Sequence, residues 1–170
     1  ISPSLINPTI AAVALDQCGA RAECRVHVLH RAAMVAETQV EAEAMLREAF
    51  AIHQSQEPWP DFIEMTKVVK LAVDLKNAPL ALELARALDQ LAQSRKGVFP
   101  AFPHIGAAQG LMAAGAPDEE VRAALNRVQA ETPKSVGTII GLGHMGPITW
   151  GGGIGEQALR EQAALWARLG

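Results

Sequence analysis

The residues that could do chemistry begin near the start of the chain, where Cys18, Cys24, His27 and His30 stand in the pattern C-x5-C-x2-H-x2-H. Thiolate sulfur and imidazole nitrogen are both ligands that zinc accepts. On one helix each step of three residues falls about 60° short of a full turn, so Cys24 and His30 point about 120° apart. Those directions do not converge on one tetrahedral ion, and no metal site is expected. The cysteines, with Gly19 between them to end one helix and turn the chain, can instead bridge a helical corner if their Cα atoms come within about 7 Å. A Cys18–Cys24 disulfide is one expectation and two free thiols are the other, depending on whether the compartment is oxidising.

A second cluster is Ile139-Ile140-Gly141-Leu142-Gly143-His144-Met145-Gly146, where G-x-G-x-x-G follows a β-branched run. It resembles the dinucleotide fingerprint of the short 2-hydroxyacid and hydroxyisobutyrate dehydrogenases, whose glycines let the backbone reach a pyrophosphate resting on the next helix. Here Pro147 and Gly151 to Gly153 interrupt the place of that helix, and no acidic residue about twenty positions on ends a second strand. The βαβ unit does not fit, so no nucleotide or other cofactor is expected. His53, His104 and His144 stand singly, and no triad of Ser, His and acid can be assigned, so no catalytic residue is named. Trp59, Phe99, Phe102 and Trp150 fall in Pro- or Gly-rich connections, where an aromatic either covers the end of a core or lines a groove between loops. The candidate binding residues are therefore Trp150, His144, Trp59, Phe102 and His104.

What must hold these residues is a helical domain. With 170 residues, 49% hydrophobic and 19% charged, the chain is long enough to enclose one core, and a single domain over 1–170 is expected. A formal charge of −3 leaves no domain-wide positive field, which argues against a nucleic-acid partner. Abundant alanine, no tyrosine and only 4 Phe and 3 Trp describe a core of small side chains that lets helices approach closely. Apolar residues at three- and four-residue steps predict helices from Pro8 to Gly19 and from Ala22 to about Val35. A third carries Ala42, Met45, Leu46, Ala49 and Ile52, with Glu37 and Thr38 at its start and a solvated acidic face of Glu41, Glu43 and Glu48. Pro58 and Pro60 stop it, and Asp61 can cap a fourth helix to Asp74. Asn77-Ala78-Pro79 turns the chain into a fifth, about Pro79 to Ser94, apolar on nearly two sides. A break through Lys96 to Pro103 precedes a helix from Gly106 to Ala114, and Pro117 with three acids opens another.

The stretch from Ser135 to Gly155 differs in kind, with no charged residue and 8 glycines. Pro147 and the glycines leave too little lipophilic side chain for a membrane span, so an ordered Gly-rich loop is predicted before a last helix from Glu156 to Leu169.

Aligning the third and fifth helices brings Ala42, Leu46 and Ala49 onto Ala81, Ala85 and Leu88, each 39 residues on. Leu-Ala-Leu-Glu-Leu-Ala-Arg-Ala-Leu at 80 to 88 is similar to the second helix of the tetratricopeptide hairpin, a resemblance covering about residues 38–94. The resemblance implies stacked antiparallel hairpins presenting a protein-binding surface, and it carries no catalytic residue. The expectation is an all-α scaffold for a protein or peptide partner. The start without Met and the cysteine pair suggest a periplasmic or secreted setting of the bacterial envelope, with a cytoplasmic one as the alternative. The competing expectation is a small-ligand binder or enzyme whose pocket forms between the Gly-rich loop and helices two and five, lined by His144, Trp150 and His104.

Overall fold

The structure, a computed structural model, describes residues 8–95, 100–143, 160 and 162–169, with side chains left aside for Pro8 and 132–143. Helices form where the stripes and caps predict them: α1 (Pro8–Cys18), α2 (Ala22–Ala33), α3 (Gln39–Gln54), α4 (Phe62–Asp74), α5 (Ala78–Ser94), α6 (Phe102–Ala113) and α7 (Asp118–Gly143). Residues 162–169 are helical too, and no strand occurs among the described residues. No described helix is long and apolar enough to cross a membrane.

The starts are set chemically. Thr38 Oγ1 accepts the Glu41 amide at 3.2 Å while Glu41 Oε2 accepts the Thr38 amide at 3.1 Å, a reciprocal capping box for α3. Asp61 caps α4 through the Glu64 amide at 3.1 Å, and Asn77 caps α5 through the Leu80 amide at 3.1 Å. Gly19 at φ 57° and Gly115 at φ 78° turn the chain after α1 and α6, where a left-handed residue is needed.

Two expectations require correction. The helix expected from Gly106 begins at Phe102, with Pro103 in its first turn, because a proline there has a preset φ and no amide hydrogen to strand. The expected Gly-rich loop does not begin at Ser135, since α7 continues to Gly143. Each added residue of a helix already nucleated gains a backbone bond for only two fixed dihedrals, which offsets the roughly 1 kcal/mol cost of Gly137 or Gly141. Val136, Ile139 and Ile140 also keep a helical spacing that the glycine count obscured. The rest of the proposed loop, and the start of the last helix as expected, lie outside the described residues.

Helices adjacent in sequence pack against each other, and α4 also packs against α6. The core runs through their shared faces: Leu46 and Ala49 of α3, Met65 and Val68 of α4, Leu88 of α5, Ala107 and Ala108 of α6, Leu125 and Val128 of α7. Glycine makes the α4–α6 approach possible, because a Cβ on Gly106 would lie 2.4 Å from Thr66 Cγ2 and one on Gly110 would lie 2.4 Å from Val69 Cγ1. On the surface, Arg47 pairs with Glu83 at 2.8 Å, and Arg86 pairs with Glu120 at 2.7 Å. These pairs join α3 to α5 and α5 to α7. Being exposed and screened by water, these pairs add little to stability.

Candidate functional site

The N-terminal corner is built by the cysteines. Cys18 at the end of α1 and Cys24 in the first turn of α2 stand at disulfide distance, their Cα atoms 5.5 Å apart. Of the two expectations for this pair, the bridge is the one found. Arg21, between the two helices, donates from Nη2 to the Gln17 carbonyl at 3.0 Å and from Nε to the Cys18 carbonyl at 3.2 Å, satisfying the open end of α1.

Beside this corner a cleft of about 1060 Å³ opens against α2, the end of α3 and the start of α4. From α2 come Glu23, Cys24, Val26, His27 and His30, with Arg21 just before its start. The opposite wall is His53 near the end of α3, Gln56 and Asp61 in the connection, and Glu64 in the first turn of α4. The capping role of Asp61 therefore also fixes a carboxylate in the cleft wall. Glu64 shares its charge with Lys67 one turn on.

Two histidines meet here. The rings of His30 and His53 stand 5.8 Å apart between centroids, tilted by 48°. His53 is only 7% exposed, and the Nε2 atoms of both rings are buried with no hydrogen-bond partner among the described residues. Burial holds both imidazoles below their ordinary pKa, foremost by desolvating the charged form. The positive potential of His53, Lys67 and His27 lowers His30 further, against the pull of Glu64. Asp61 and Glu64 pull His53 the other way without overcoming burial. Among the described residues there is no group of three or more His, Cys, Asp or Glu side chains that could hold a metal.

Neither histidine stood among the candidate binding residues. A signal existed: His53 continues the buried run Ala42, Leu46, Ala49 and Phe50, and His30 lies one turn after Val26. What no spacing reveals is that positions 23 residues apart bring their rings together.

The sequence-predicted residues sit elsewhere. His104 lies in α6 rather than in a connection, 2% exposed, with Nδ1 2.7 Å from Asp89 Oδ1. Arg127 of α7 donates to the same carboxylate, from Nε at 3.1 Å and from Nη2. Burial alone would raise the Asp89 pKa, but the bonds and charges of His104 and Arg127 outweigh it and hold the carboxyl below its ordinary value. This cluster ties α5, α6 and α7 together inside the core. Phe102 is the half-buried first residue of α6, not a connection residue as expected. Trp59 is 54% exposed, two residues before the cleft's Asp61. None of the three lines the cleft. His144, Trp150 and Phe99 lie outside the described residues.

No family model matches the chain, and no curated protein or solved structure matches it.

Proposed function

We propose that this chain is a helical scaffold for a protein or peptide partner, and that the cleft between α2, α3 and α4 receives a polypeptide segment carrying basic side chains. The observation that carries this reading is the cleft's lining. Glu23, Asp61 and Glu64 face it against Arg21, whose donors are turned back onto the carbonyls of α1. Lys67 offsets Glu64, which leaves Glu23 and Asp61 as acids without a salt-bridge partner among the described residues, free to meet an incoming lysine or arginine. A cleft of about 1060 Å³ is large enough to admit side chains of an extended segment. The connection that brings Asp61 to the wall also exposes Trp59, and tryptophan supplies a large share of binding energy where partners meet.

The order of the helices supports stacked antiparallel hairpins of the tetratricopeptide kind. α4 packs on both α5 and α6, as the first helix of one hairpin does on its own partner and on the next hairpin. The paired cysteines are compatible with an oxidising compartment such as the bacterial envelope.

Fluorescence anisotropy with labelled lysine-rich and glutamate-rich peptides of equal length tests the reading. The basic peptide binds more tightly at low salt, and Glu23→Lys or Trp59→Ala weakens it about tenfold without changing helix content. Equal affinity for both peptides, or none for the basic one, overturns it.

A further inference from the structure

Most buried polar atoms in a folded protein have a hydrogen-bond partner, so two orphaned imidazole nitrogens side by side call for an explanation. The Nε2 atoms of His30 and His53 are such a pair, on rings 5.8 Å apart, at the contact of α2 with the end of α3. We propose that these two histidines form an acid-operated latch: neutral, they let α2 pack on α3, and protonated, they drive α2 away and open the wall of the cleft.

The chemistry follows from the ring. A neutral imidazole that carries its proton on Nδ1 presents only a bare lone pair at Nε2, which is tolerable in a poorly hydrated contact. Protonation puts an N–H and a positive charge at the same buried point, with no acceptor there. The second histidine to protonate meets, besides burial, the charge of the first.

Charged groups on α2, on α4 and in the connection between α3 and α4 bear on this balance. His27 on α2 and Lys67 on α4 add positive potential and oppose protonation. Glu64 on α4 and Asp61 in the connection favour it, but neither reaches a ring Nε2. Asp61 is already committed to the Glu64 amide and Glu64 to Lys67. α1, which packs on α2, carries Asp16 as its one charged side chain.

The sign follows from proton linkage. In the unfolded or opened chain each histidine titrates near 6.5; closed, burial lowers both. The open form therefore binds more protons below 6.5, so closure weakens as pH falls through that value and stops weakening once both closed-state values are passed. Above 6.5 the latch costs nothing.

The free, disulfide-bonded chain provides the test, so the outcome does not depend on whether a basic peptide binds. Imidazole Cε1–H resonances are titrated by NMR from pH 8 to 4.5, with assignments from His30→Gln and His53→Gln. Amide exchange in α2, corrected for the intrinsic pH effect, is compared with that in α5. Both rings titrate below 6.5, and opening of α2 increases about tenfold more than that of α5 between pH 7 and pH 5. The double variant His30→Gln with His53→Gln loses that pH dependence. If the double variant does not fold, the wild-type titration and exchange decide alone. Titration at or above 6.5, equal response of α2 and α5, or an unchanged pH response in a folded double variant overturns the proposal.

Discussion

Replacing Gly110 by alanine tests the close packing that holds α6 on α4 and α5. The added Cβ would stand 2.4 Å from Val69 Cγ1 and 3.0 Å from Ala85 Cβ. Carbon atoms in contact rest about 3.5–4.0 Å apart, so the helices must separate by roughly 1 Å. Neither neighbour yields readily: Val69 is β-branched and 1% exposed, and Ala85, at 0% exposed, has no side chain beyond its own Cβ. Overpacking of this kind costs about 1–3 kcal/mol, against about 1 kcal/mol gained by exchanging glycine for alanine inside a helix. A net loss of up to about 2 kcal/mol is expected. In a Val69→Ala background the worst obstruction, Cγ1, is gone and only the 3.0 Å approach to Ala85 Cβ remains, so Gly110→Ala costs clearly less than in the wild type. Urea denaturation followed by circular dichroism across all four chains gives the coupling, which should be at least about 1 kcal/mol. Stabilisation of the wild type by Gly110→Ala, or the same cost in both backgrounds, refutes the steric reasoning.

Asp89→Ala leaves His104 and Arg127 without their shared acceptor. Breaking a buried pair costs about 3–5 kcal/mol, and Arg127, 32% exposed, recovers part of that in water, so a loss of about 2–3 kcal/mol is expected by chemical denaturation. The wild-type carboxylate, held below its ordinary 3.8, contributes stability above that pH and loses it as pH falls through its folded value; the variant's acid limb is shallower there. Reduction of Cys18–Cys24 frees a loop with a sequence separation of 6, and should lower stability by about 2 kcal/mol without unfolding the domain. Thermal melts with and without reductant check this; complete loss of helix on reduction would show the bridge to be indispensable rather than auxiliary.

Helix identity was written locally. The stripe Ala42, Leu46, Ala49 needs only the 3.6-residue period to be read, and Thr38, Asp61 and Asn77 sit where a side-chain oxygen must meet an open amide. The reach of the cysteine bridge was legible for the same reason, because Gly19 and a short spacing bring the two ends of one turn together. Glycine content misled at Ser135 to Gly143, since composition registers propensity per residue while a growing helix is held by its whole length. What no local rule could supply was partnership across helices. His104 reads as a lone polar residue after a proline, yet it closes on a carboxylate 15 positions earlier that also holds a guanidinium 38 positions later. His30 reads as one member of a cysteine and histidine pattern and His53 as a lone histidine, and only the packing of α2 on α3 sets their rings together in a cleft wall. Periodicity determines which face of a helix turns inward; which inward faces meet, and whether two buried polar atoms find each other or are left unpaired, is decided when the helices dock.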